Sequence, residues 1–102
     1  MAKKATGIRK SSGNVFRDMG FPPDEAAHLL IRADLMIQVE RVLSRRGLTQ
    51  VQAAKLLGIS QPRVSDLVRG RIDLFSIDTL VDLLARLGVT VRFKTSASTR
   101  VA

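Results

Sequence analysis

The 102-residue sequence has no cysteine and a single histidine, His28. Without cysteine there is no disulfide, no thiolate metal site and no cysteine nucleophile. One imidazole cannot build a histidine metal cluster, so neither a metal nor another cofactor is expected. No apolar run approaches the roughly 20 residues that span a bilayer. The basic start, Met1 to Lys4, has no apolar stretch behind it, so no secretory signal is expected. Acidic residues are few, nine against 17 lysines and arginines, and they are dispersed rather than paired. A glycine-rich phosphate loop is also missing. Together these absences argue against an enzyme.

What is present describes a small globular body. Hydrophobic residues make up 45% of the chain, too many for a disordered polymer. The length suits one domain. The net charge is +8, a balance that favours phosphate polyanions as partners. That charge is unevenly placed. Residues 1–10 carry +4 and residues 41–71 carry +6, whereas residues 11–40 carry −3 and residues 72–91 carry −2. A basic block therefore sits between two acidic ones.

Punctuation along the chain divides it into helices. Residues 1–13 are polar, basic and rich in Gly and Ser, and read as a flexible arm. Residues 14–21 form either a short strand or a single turn that packs on the body. Pro22-Pro23 followed by Asp24 and Glu25 opens a long helix. It runs over residues 23–46 and Gly47 ends it. Thr49 caps a helix over 50–57 that Gly58 stops. Ser60 caps another, with Pro62 in its first turn, running to 69 before Gly70. Ser76 caps the last, over 77–87, before Gly88. After that, Val89, Val91 and Phe93 alternate with Thr90, Arg92 and Lys94, which is the period of a strand. Its partner is either the 14–21 segment or a strand of another chain, because a strand needs one. Residues 95–102 read as a loose tail. The domain spans 14–94.

The two short helices around Gly58-Ile59-Ser60 make a helix-turn-helix. Ala54, Leu57, Ile59, Val64 and Leu67 fall where the helices and their turn must face one another. Gly58 suits the left-handed backbone of a tight turn. The outward face of the second short helix carries Gln61, Arg63, Ser65, Asp66 and Arg69, inside the basic block. A helix of this kind fits the major groove, where base edges present distinct donor and acceptor patterns.

The stretch GLTQVQAAKLLGISQPRVSDLVRGR, with SIDTLVDLLARLGV after it, resembles the Xre-type DNA-binding domain shared with lambda-type phage repressors. The resemblance covers residues 35–88 and rests on LTQ, A-x-x-LGIS and V-x-x-L-x-x-G. With the VFxDxGF segment, the long first helix, the run DLFSIDTL and the terminal strand, the whole looks closest to HigA-type antitoxins. The resemblance implies an all-α, lambda-repressor-like fold of four to five helices with a short C-terminal β-strand. It also implies roles. Gln50 would bind a DNA phosphate and steady the first recognition residue, Gln61, which can pair with adenine. Ser60 caps the recognition helix. Pro62 stands where such repressors often have a second polar reader, and offers a thymine methyl an apolar surface instead. Arg63 would reach a phosphate or a guanine, Ser65 lies on the same face, and Arg69 and Arg71 would meet the backbone. Asp66 either accepts from cytosine or pairs with Arg63 and Arg69 along the helix.

Other residues carry plainer readings. His28 reads as an ordinary helix residue. Leu74 and Phe75 read as core contacts, with partner docking as the alternative. The long helix holds apolar residues on more than one face, so residues 26–37 bury a second surface. Either the 14–21 segment folds over it, or it is an association site.

The resulting expectation is a sequence-specific DNA-binding repressor in the cytoplasm, associated with the nucleoid. It would be a homodimer on a palindromic operator, and the antitoxin partner of a RelE/HigB-like RNase toxin. The alternatives are a stand-alone Xre-type regulator and a protein-interaction module that no longer binds DNA.

Overall fold

The computed structural model describes residues 14–95 and 97. The expected 1–13 arm and most of the 95–102 tail lie outside the described residues. Five α-helices follow one another: α1 (Val15–Asp18), α2 (Pro23–Arg45), α3 (Gln50–Leu57), α4 (Gln61–Val68) and α5 (Ile77–Arg86), with a 3₁₀ turn at Ile72–Leu74 before α5.

Side chains near each start explain most of these boundaries. Thr49 accepts from the Gln52 amide at 3.1 Å, and the Gln52 side chain accepts from the Thr49 amide at 2.9 Å. This reciprocal box satisfies two donors that a helix start would otherwise leave open. Ser60 accepts from the Arg63 amide, and Ser76 from the Thr79 amide. The first element is a helix because Asn14 caps it, accepting from the amides of Phe16 and Arg17. The Asn14 amide then donates to the Ala26 carbonyl at 3.1 Å, tying α1 to α2. Gly58 ends α3 at φ 71°, a left-handed conformation that L side chains resist.

The core gathers around α2. Leu35, Met36, Val39, Val42 and Leu43 face Ala53 and Leu57 of α3, Val64 and Leu67 of α4, and Leu80, Leu83 and Leu84 of α5. Phe75 and Leu87 close it. Ala53, rather than Ala54, is the fully buried small residue of α3, and Ala54 and Ile59 pack partly. Arg46 donates to the Leu87 carbonyl, which brings the C-terminal ends of α2 and α5 together. The surplus apolar surface of α2 is met by α1 folding back: Phe16 lines a cleft with Ala33, Met36 and Ile37.

The expected C-terminal β-strand is not formed. No strand occurs among the described residues, and residues 89–95 carry no regular structure. The reason is pairing. The 14–21 segment, one of its two expected partners, forms the capped helix α1, so the described residues offer no free strand edge. Val89 and Val91 nevertheless pack against the core.

Candidate nucleic-acid interface

The helix-turn-helix presents one helix outward on a rigid support. Val64 and Leu67 anchor α4, at 1% and 3% exposure. They leave Gln61 and Pro62 exposed at its first turn, with Ser65 and Asp66 half-buried one turn on. In a helix, residues four apart share a face. Gln61 and Ser65 therefore form one row, and Pro62, Asp66 and Arg69 the next. Gln50, at the start of α3, is exposed as well. Among the described residues no hydrogen bond joins Gln50 to Gln61. Ser60 spends its oxygen on the Arg63 amide at 3.3 Å.

The cations differ in how far they are engaged, and Arg46 already donates to the Leu87 carbonyl. Arg41, Arg45, Arg46, Lys55, Arg69 and Arg71 are exposed. Arg71 Nε lies 3.6 Å from the Asp73 carboxylate, an open pair that contributes little. Arg63 is different. Its guanidinium donates to the Leu74 carbonyl at 3.1 Å and lies over the Phe75 ring, 4.2 Å from the centroid. The side chain thus clasps α4 to the segment that leads into α5. Leu74 and Phe75 separate accordingly: Phe75 is 1% exposed, Leu74 40%. Among the described residues Asp66 makes no ion pair with Arg63 or Arg69, so its carboxylate stays available at the outer face. His28 is exposed on α2.

The Arg63 clasp is not visible in the sequence. Its partners lie eleven and twelve residues downstream, and helix-face arithmetic places Arg63 beside Gln61 rather than against Phe75. An aromatic before the Ser76 cap was the available signal. The chemistry of the site is that of recognition. Among the described residues no group of three or more His, Asp or Glu could hold a metal. No helix there is long and apolar enough to cross a membrane.

A family model described as a helix-turn-helix domain matches residues 15–96. A solved structure named "Putative XRE Family Transcriptional Regulator" is 31% identical, with a TM-score of 0.69, over 76% of this chain and 88% of that one. No curated protein matches. The helix-turn-helix model spans most of the chain and the solved XRE-type relative shares its fold at 31% identity, so the chain belongs to the XRE type of the helix-turn-helix family.

Proposed function

We propose that this protein is a sequence-specific DNA-binding transcriptional repressor that acts as a homodimer on a palindromic operator, in the cytoplasm and at the nucleoid. The observation that carries this reading is the outer face of α4. Gln61 is exposed at its N-terminal turn, on a helix held from behind by Val64 and Leu67 and clasped from the side by Arg63. In helix-turn-helix complexes the N-terminal residues of the second helix contact base edges. Gln61 is the adenine reader, Pro62 and Ser65 line the groove, and Asp66 accepts from cytosine N4. Gln50, Arg69 and Arg71 meet phosphates, and Ser60 holds the N-terminal turn of α4. Arg63 acts by setting the angle of α4 rather than by touching a base. Two copies of α4 would enter major grooves about 34 Å apart.

The test is binding to the chain's own upstream region, followed by fluorescence anisotropy against salt. Affinity falls steeply as salt rises, because phosphate contacts release counterions. Gln61→Ala lowers discrimination at one base pair per half-site by about 1–3 kcal/mol. An equal loss on every sequence would remove Gln61 as a reader.

The finer reading is that the repressor is an antitoxin for an RNase toxin. Its support is the resemblance to HigA-type chains, together with charge: residues 11–40 carry −3 and include α1, with Val15 and Met19 exposed. That surface suits a small basic protein. The solved relative's name speaks of transcription regulation alone, which both this reading and the alternative, a regulator without a toxin, contain. Co-expression with the adjacent reading frame, scoring complex formation and growth rescue together, separates the two.

A further inference from the structure

A cleft of about 520 Å³ opens between α5 and the turn that joins α3 to α4, a size within the range of small-ligand sites. Leu57 and Leu83, both buried, form its floor, and half-buried Ile59 one wall. Thr79, Asp82 and Arg86 of α5 line the other side. Residues three, four and seven apart share one face of a helix, so these three meet the cleft together.

The polar capacity of that face is unspent. Asp82 and Arg86 stand four residues apart, a spacing at which opposite charges on a helix attract. Among the described residues they form no ion pair, and neither makes a side-chain hydrogen bond. The Arg86 guanidinium lies over Gly58 instead: a Cβ there would sit 3.2 Å from Nη1 and 3.4 Å from Cζ. The missing side chain at 58 is what makes room for it. A cation in the last turn of α5 suits the helix dipole. The dipole does not account for a guanidinium drawn across the turn while a carboxylate one turn away goes unpaired. Thr79 adds a donor. Its oxygen accepts from the Ser76 hydroxyl at 2.9 Å, which leaves its own hydrogen to give.

We propose that this cleft binds the zwitterion of a free amino acid with an apolar side chain. The α-carboxylate lies against Arg86 and the Thr79 hydroxyl, the α-ammonium against Asp82, and the side chain on Leu57, Ile59 and Leu83. A wholly apolar ligand would strip water from both charges without pairing either. A ligand of one charge answers only one of them. An amino acid carries both charges on one carbon, with an apolar group beside them, which is the composition of the cleft. Bound there, it touches Gly58 and Ile59, next to the Ser60 cap of α4. Its binding is therefore linked to the angle at which α4 meets DNA. That regulatory consequence rests on the repressor reading above, whereas the binding itself does not.

L-leucine is the probe. In amide NMR of the full chain without DNA, millimolar leucine shifts Gly58, Ile59 and the 79–86 face, and calorimetry gives the affinity. Leucinamide lacks the carboxylate and N-acetylleucine lacks the ammonium, and each binds about tenfold more weakly than leucine. Arg86→Gln and Asp82→Asn are surface changes, and urea unfolding confirms that both variants fold. Each weakens leucine about tenfold. Arg86→Gln leaves leucinamide binding unchanged and Asp82→Asn leaves N-acetylleucine binding unchanged, because the contact each variant removes is already missing. No shift at millimolar leucine overturns the site. N-acetylleucine binding as tightly as leucine overturns the zwitterion. Shifts elsewhere that ignore both variants place the ligand outside the cleft and overturn the proposal as well. Operator titration is scored separately. Saturating leucine changes operator affinity about fivefold or more, and operator changes leucine affinity by the same factor. Unchanged operator affinity overturns the regulatory consequence alone. A chain that binds leucine but no DNA sequence sinks the repressor reading and leaves the site standing.

Discussion

The α3–α4 pair and the segments that flank the domain are built to different standards. In the pair, each helix start is capped by a hydroxyl, the intervening turn holds Gly58 at positive φ, and Leu57 and Val64 are 1% exposed. In the flanks, α1 is one turn long with no buried residue, Met19 is 67% exposed, and among the described residues 90–94 make no backbone–backbone hydrogen bond. The difference teaches where this fold keeps its rigidity. A surface that reads bases needs its side chains held by packing and hydrogen bonds beneath. A surface that meets another chain gains its burial on association.

The largest test of that contrast is in the interior of the pair. Leu57→Ala removes a fully buried side chain of the core cluster and lowers stability by about 2–5 kcal/mol in urea unfolding. A loss well under 1 kcal/mol would show the pair to be as loose as the flanks. Next is the turn. Gly58→Ala imposes a left-handed backbone on a side chain, at a cost of about 1–2 kcal/mol. Its new Cβ also meets Arg86 Nη1 at 3.2 Å, a flexible end that can shift. Thermal unfolding reports the sum. If the cost is negligible, the turn is not what sets the angle between α3 and α4.

A smaller effect comes from the clasp. Arg63→Ala forfeits the Leu74 carbonyl bond and the Phe75 stacking, about 1–2 kcal/mol together. Arg63→Lys restores little, because an ammonium cannot stack as a planar guanidinium does. In operator titrations both variants blur discrimination at the base pair Gln61 reads, since α4 has lost a lateral support. If Arg63→Ala instead leaves stability and discrimination intact and only shallows the salt dependence, the arginine is an ordinary phosphate contact.

Arg63 also marks the limit of what the chain discloses before folding. Thr49, Ser60, Ser76 and the glycines at 47, 58, 70 and 88 announce the helices because capping is local, acting within three or four residues. The interior was legible because Leu57, Val64 and Leu67 keep helical spacing. The outer face of α4 followed from the same arithmetic. Three features did not. The clasp depends on Phe75 arriving beside α4, a tertiary event. The 14–21 segment is helical because the Asn14 side chain takes two amides, a choice invisible in its apolar pattern alone. The terminal strand has the right alternation, yet a strand is a property of two segments, and only one is present among the described residues.

The smallest expected effect lies on the flank and is the sharpest test of the contrast. Met19 follows α1 and is mostly in water, so Met19→Ser should change stability by no more than about 0.5 kcal/mol. Operator affinity should also stay constant, because α1 packs chiefly on α2 and Met19 is no part of the proposed DNA face. What should change is capture of the protein encoded beside this one, measured by calorimetry. An exposed methionine is an adaptable apolar contact, and serine removes it while leaving the neighbouring acidic charges in place. Weaker capture with unchanged stability and unchanged DNA binding would assign α1 to a protein partner. Unchanged capture would leave Val15, Met19 and Ile37 as scattered surface apolar residues of the ordinary kind. A stability loss of 2 kcal/mol or so would show α1 to be part of the core after all, and the division between a rigid reading unit and open flanks would fail at its N-terminal end.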